Sequence, residues 1–273
     1  MGIRINTNVA SLNTQRHLFN ATIRQGKSVE KLASGLRINR AADDAAGLAI
    51  SEGMRSDIRA LDQAARNAAD GISLVQTAEG ALDEVSGILL RMKELAEQSL
   101  GGTLSAAQQD YLDAEYQELS GEIDRVSAAS RYNGIALLDG TLDVDIQVGI
   151  DTGVPSTISI SLATATSAAG LAITESIGAA GDPAAALDEV DAAIATLSGV
   201  RATFGADQNR LESSVRNILN RSENTAAANS RIRGVDVAAE TSAMTSFKIL
   251  QQAGVTVLSQ TNQSPRLAMS LLQ

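Results

Sequence analysis

Between Leu187 and Ile232 the positions Leu187, Val190, Ile194, Leu197, Arg201, Phe204, Gln208, Leu211, Val215, Ile218, Ser222, Thr225, Asn229 and Ile232 follow one another in steps that alternate three and four without a break. Such steps put residues on one stripe of an α-helix, and about six heptads of them specify a helix too long to fold over itself, so it must lie along partner helices. Asp182 before Pro183 marks its start, because the carboxylate can cap the free N–H groups and a proline at the first helical position gives up a donor that is unpaired anyway. The other prolines are Pro155 and Pro265, which leaves residues 1–154 and 184–264 free of the strongest helix breaker.

The same spacing recurs elsewhere. Ile5, Val9, Leu12, Arg16, Phe19, Ile23 and Gly26 predict a helix over 5–32. A connector with Gly35 and the carboxylates Asp43 and Asp44 follows at 33–45. Met54, Ile58, Leu61, Ala65, Ala68, Ile72 and Val75, then Ala78, Leu82, Val85, Leu89, Met92 and Ala96 after a stutter, predict a helix of about 50 residues, about 75 Å long. Gly101-Gly102 ends it, and Ser105 with Gln108 reads as a capping box that opens a helix with the seam Leu112, Tyr116, Leu119, Ile123 and Val126. Beyond Asn133-Gly134 the period drops to two, through Leu142, Val144, Ile146, Val148 and Ile150 and then Ile158, Ile160 and Leu162, which is a β-hairpin signal at about 134–165. Residues 163–181, rich in Ala, Ser, Thr and Gly, read as a loop or weak element. Ala243, Phe247, Leu250, Gly254, Val257 and Thr261 give a last helix up to Pro265.

The fold expected is mainly α: a long antiparallel helical rod or coiled-coil bundle with a small β-hairpin element and both termini at one pole. Residues 1–42 with 235–273 would form a terminal coiled coil, and 43–234 a helical rod domain. The terminal seams carry small or polar residues, so they bury too little to repay backbone ordering of about 1–2 kcal/mol per residue, and the arms should order fully only with other copies of the chain.

Composition narrows the function. The 273 residues carry 22 basic and 32 acidic groups, a formal charge of −10 that argues against nucleic acid as a partner. Charge is also unevenly placed, +4 over 1–66, −16 over 67–230 and +2 over 231–273, so the two ends share one environment and the middle meets another. With no Cys and His17 alone, a thiolate nucleophile or a multi-histidine metal site cannot be assembled, and no cofactor is expected. Asp43-Asp44, set among Ala and Gly, reads as a pair that interacts with Arg37, Arg40 or a neighbouring copy, not as an acid–base dyad, so no enzyme is expected. There is no apolar run of membrane-spanning length and no apolar core of a signal peptide at the start, so any export would use another route.

The opening Ile5-Asn6-Thr7-Asn8-Val9-Ala10-Ser11-Leu12 resembles the start of bacterial flagellins. So do Leu32-Ala33-Ser34-Gly35-Leu36-Arg37-Ile38-Asn39, Ala42-Asp43-Asp44-Ala45-Ala46-Gly47-Leu48-Ala49-Ile50, Ile123-Asp124-Arg125-Val126, Tyr132-Asn133-Gly134, Asn262-Gln263-Ser264-Pro265 and Ser270-Leu271-Leu272. The resemblance runs in order over nearly the whole chain. It implies a secreted structural subunit that polymerises with itself into the extracellular flagellar filament for swimming motility. Export would pass through a type III channel with an export chaperone, and flagellar cap and junction proteins would be further partners. Ile5, Val9, Leu12, Phe19, Ile23, Phe247, Leu250 and Val257 would then pack in the filament core. With only 163–181 between hairpin and last rod helix, the chain resembles a short flagellin without outer domains.

Leu90-Arg91-Met92-Lys93-Glu94-Leu95-Ala96-Glu97-Gln98 is similar to the stretch by which the flagellin-sensing Toll-like receptor of a host recognises its ligands. This implies Arg91, Leu95 and Glu115 as the recognised residues. Arg91 and Leu95, four apart, share a helix face, and a turn centred near Thr103 sets Glu115 opposite Arg91. Leu90 departs from the polar residue that often precedes the arginine, and Glu97 from an apolar neighbour. Two other readings remain at this point: a hook–filament junction protein, and a signalling coiled-coil rod, which would carry neither the hairpin nor the terminal motifs.

Overall fold

The computed structural model describes the backbone at residues 7–151 and 154–270 and side chains at 7–151 and 155–263. Five helices carry the fold: α1 (Val9–Ser34), α2 (Ala45–Leu100), α3 (Ala106–Ala129), α4 (Pro183–Arg233) and α5 (Val237–Ser270). Between α3 and α4 lie four strands, β1 (Arg131–Tyr132), β2 (Ile135–Ala136), β3 (Leu142–Gln147) and β4 (Thr157–Leu162). By contacts the chain divides into two compact units, Met1–Ser56 with Asn224–Gln273, and Asp57–Glu223.

The second unit holds the core. The expected stripe of α2 is its spine: Val75, Ala78, Leu82, Val85, Leu89, Met92 and Ala96 are all buried, and they meet Tyr116 and Ile123 of α3 and Val190, Leu197, Phe204 and Leu211 of α4. Polar ties fix the register of α2 against α4. Lys93 Nζ lies 2.6 Å from Asp191, Arg201 Nη1 lies 3.2 Å from Asp83, and Ser222 donates to Asp62 at 3.3 Å, so the two helices run antiparallel, each step back on one matched by a step forward on the other. Ser105 opens α3 as expected, its N–H donating to the Gln108 side-chain oxygen at 2.9 Å.

β3 and β4 pair antiparallel with Leu142 opposite Leu162 and Ile146 opposite Ile158, and β4 buries Ile158, Ile160 and Leu162 while its serines face outward. The strand stops at Gln147 and does not reach Ile150, because the Gln147 amide folds over the turn and donates to the carbonyls of Gly149 (2.9 Å) and Asp151 (2.8 Å). β1 and β2 form a second, minimal hairpin whose turn residues Asn133 and Gly134 both have positive φ (48° and 84°), the requirement of a type I′ turn.

Residues 163–181 form a loop without helix or strand, as expected, but one that is packed into the core. Thr166, Ala168, Leu171, Ile173 and Ile177 are buried, the four apolar ones within the main core. Their small neighbours let the chain pass close over the helices.

In the first unit α1 and α5 lie antiparallel. Asn8 Nδ2 donates to the Thr261 carbonyl at 2.8 Å, the Gln251 amide to Thr22 Oγ1 at 3.4 Å, and Lys31 approaches Glu240 at 3.9 Å. α1 starts at Val9, later than the seam suggested, because Asn8 caps it by accepting the Ser11 N–H at 3.0 Å; Ile5 lies outside the described residues. α2 begins earlier than expected, at Ala45, because Asp44 Oδ1 accepts the Gly47 N–H at 2.9 Å and acts as its cap. The connectors before α2 and after α4 are joined: Arg37 N–H donates to the Arg233 carbonyl (2.7 Å), Val235 N–H to that of Gly35 (3.1 Å), and Arg233 pairs with Glu52 at 2.7 Å. α5 runs through Pro265 to Ser270, so the proline does not end it.

Candidate functional site

The terminal pair carries two heptad stripes, and only one of them faces its partner. On α1 the residues turned toward α5 are Ser11, Thr14, Leu18, Ala21, Gln25 and Ser28, buried or half-buried, again in alternating steps of three and four. The stripe singled out from the sequence is displaced from it by two positions. Val9, Leu12, Phe19 and Ile23 are exposed, Phe19 by 65%. On α5, Phe247 is half-buried, and Leu250 and Val257 are exposed, as are Ile249 and Val255. The periodicity thus named the right helices, but the large apolar residues are not what joins α1 to α5. Small and polar residues do that together with Leu18, and Gly254 permits it: a Cβ there would stand 3.3 Å from a methyl of Leu18.

A groove of about 540 Å³ runs along the pair, lined among others by Leu18, Ala21, Phe247, Leu250, Gly254 and Val257. His17 lines it as well and is exposed.

The second candidate surface lies on α2 and α3. Arg91 reaches across to Glu115, with Nη2 at 2.8 Å and Nε at 3.0 Å from the same carboxylate oxygen, and also pairs with Glu94 at 3.0 Å. Both members are about half exposed, 49% and 46%. The bond to Glu115, then that to Glu94, holds the guanidinium proton more firmly than usual. Leu95 does not share this surface. It is 0% exposed and sits in the core, because the four-residue step from Arg91 turns it inward toward α3 and α4; the apolar residue outside beside Arg91 is Leu90, 54% exposed.

Asp43 and Asp44 are committed to local structure. Asp43 Oδ2 accepts the N–H groups of Arg40 (3.1 Å) and Asn39 (3.3 Å), which lowers its pKa, and Asp44 caps α2. The expected side-chain partners go elsewhere: Arg40 pairs with Glu30 at 2.7 Å, and Arg37 donates to the Ile232 carbonyl at 2.7 Å. The sequence reading missed the inward stripe of α1 because Leu18 is its one large apolar residue, whereas the outward stripe carries Val9, Leu12, Phe19 and Ile23. It also missed Asp110, Asp113, Asp124 and Glu189, whose carboxylates face 163–181.

Comparison with known proteins decides the identity. Residues 5–143 match the family described as the bacterial flagellin N-terminal helical region, and residues 187–272 match the bacterial flagellin C-terminal helical region. The chain is a member of the bacterial flagellin family. Flagellin of Halalkalibacterium halodurans is 46% identical to it over 271 residues, covering 98% of this chain and 99% of that one. Flagellin of Bacillus subtilis is 42% identical, covering 99% of this chain and 100% of its own. A solved structure of a putative flagellar hook-associated protein from Vibrio parahaemolyticus superposes with a TM-score of 0.59 at 14% identity, over 70% of this chain and 100% of that one, which is a likeness of fold alone.

This flagellin is therefore a structural subunit of the bacterial flagellar filament, which is extracellular, and it associates with itself; the family is not one of enzymes. The signalling-rod reading falls with the family match, and near-full-length relatives named as flagellins outweigh the junction-protein reading. No helix among the described residues is long and apolar enough to cross a membrane.

Proposed function

We propose that this flagellin polymerises by burying the outward stripes of α1 and α5 between copies, so that residues 1–42 and 235–273 make the inner core of the filament and 43–234 the layer around it. The observation that carries this reading is the exposure of Val9, Leu12, Phe19 and Ile23 on one stripe, with Leu250 and Val257 on α5. Large apolar side chains exposed in a row along a helix are costly in water and mark an interaction face. At about 25 cal/mol per Å² its burial supplies the stabilisation that the small inward seam of the pair lacks.

Electron microscopy of the purified full chain and of a chain lacking 235–273 tests it. Long tubes from the first and none from the second are expected, with the truncated chain still melting cooperatively. Normal tubes from the truncated chain would show that the ends do not build the core.

We also propose that the monomer is recognised by the flagellin-sensing Toll-like receptor through Arg91 and Glu115, with Leu95 supporting the surface from beneath. What supports it is the exposed, bidentate placement of Arg91 on Glu115. Passage through a type III channel with a chaperone, and contact with cap and junction proteins, complete the proposal and follow from the family alone.

A further inference from the structure

Residues 166–179 cross α3 and α4 as a strap, and their polar bonds to these helices run to four carboxylates. Asp124 of α3 accepts the Ala168 N–H at 2.8 Å. Asp113 Oδ1 accepts the Ile177 N–H at 2.9 Å and the Ser176 hydroxyl at 2.8 Å, and Asp110 accepts the Ala179 N–H at 3.2 Å. From α4, Glu189 accepts the N–H groups of Thr174 (2.7 Å) and Glu175 (2.9 Å) and the Thr174 hydroxyl (2.9 Å). One further bond runs the other way, the Ser99 hydroxyl of α2 donating to the Ile177 carbonyl at 2.6 Å. Ala168, Leu171, Ile173 and Ile177 are buried below these bonds.

The charged groups around the strap leave these carboxylates to it. On α2, Lys93 is taken by Asp191; on α3, Arg125 is taken by Glu122; Glu175 of the strap adds another negative charge beside Glu189. Among the described residues none of the four forms an ion pair with a Lys, Arg or His. Tyr116, 1% exposed and with no partner for its hydroxyl, feels both Glu189 and Asp113, and burial first, then those charges, push it up to about 12.

We propose that residues 166–179 are a strap with an acid-released latch, closed at Thr174 and Glu175 while Glu189 is ionised and opened there by its protonation without unfolding the helices beneath. Ionised Glu189 accepts three N–H and O–H bonds on its two oxygens, and protonation turns one of these oxygens into a donor facing another donor. These three bonds hold Thr174 and Glu175 together, so losing them frees that stretch as one piece. No cation is left buried and unpaired, so opening carries no such penalty. The sign follows from Glu189. Burial raises its pKa, but the bonds from Thr174 and Glu175 outweigh this and hold it below the usual carboxylate range. Its contribution is therefore complete above that range and lost as the pH falls through the lower folded value.

Amide exchange on the full-length monomer between pH 7 and pH 3, corrected for intrinsic rates, reads the strap directly. Protection at Thr174 and Glu175 should fall on acidification by at least about tenfold more than protection along residues 82–92 of α2, and return on neutralisation. The variant Glu189→Gln should show a latch loosened already at pH 7 and a flattened pH response. Strap and helix losing protection in step, or a strap still closed at pH 3, would overturn the proposal. The wild-type titration decides by itself if a variant does not fold.

Discussion

Asn8 serves two helices at once. Its side-chain oxygen caps α1 through Ser11, while its amide donates to the Thr261 carbonyl of α5. Thr261 stands four residues before Pro265, which has no N–H to give to that carbonyl, so a proline that would otherwise weaken α5 offers an acceptor to α1. Gly140 is another residue whose identity is dictated locally. Its φ is 81°, and a Cβ would stand 2.8 Å from the Ala165 nitrogen, so Gly140→Ala should destabilise the second unit by about 1–3 kcal/mol, read as a lower denaturation midpoint. Arg91→Glu should leave the melting midpoint nearly unchanged because the pair is exposed, yet reduce Toll-like receptor signalling by the monomer at least about tenfold in a reporter-cell assay. Wild-type signalling indistinguishable from the variant's would remove that surface from the proposal. Leu95→Ala cannot serve as the companion test, since it opens a cavity in the core and would act by destabilising the unit.

At the scale of elements, the heptad steps were legible because long helices bury one narrow stripe, and on α2 and α4 that stripe was apolar enough to be read residue by residue. Val190, Leu197, Phe204 and Leu211 are buried as expected. On α1 the same periodicity leaves the neighbour open, since an apolar stripe marks burial against something without saying in which copy. The strap was invisible for the opposite reason: Ala, Ser, Thr and Gly give no period, and its order comes from carboxylates distant in sequence. These two stripes of α1 are separable by mutation. Phe19→Ser, on the outward one, should change the stability of the monomer by no more than about 0.5 kcal/mol while raising the concentration needed for polymerisation several-fold. A large fall in monomer stability would mean that Phe19 is already covered within the chain.

For the whole molecule, charge and burial act on the same process. The stretch 67–230 carries −16, whereas the ends are positive, so copies brought together through their ends set acidic middles side by side. Repulsion between exposed charges is screened beyond about 10 Å at 0.1 M salt, and added salt should therefore promote polymerisation. The arms respond to polymerisation through their own packing. On α1 only Ser11, Ala21 and Ser28 are fully buried, too little apolar area to offset ordering at about 1–2 kcal/mol per residue. In the monomer α1 and α5 should thus open readily, with amide protection well below that of α2, whereas in the filament the outward stripes are covered and protection should rise at least about a hundredfold along both helices. Equal protection of α1 in monomer and filament would show that the pair is already stable alone, and that burial of Val9, Leu12, Phe19 and Ile23 between copies is not what orders it.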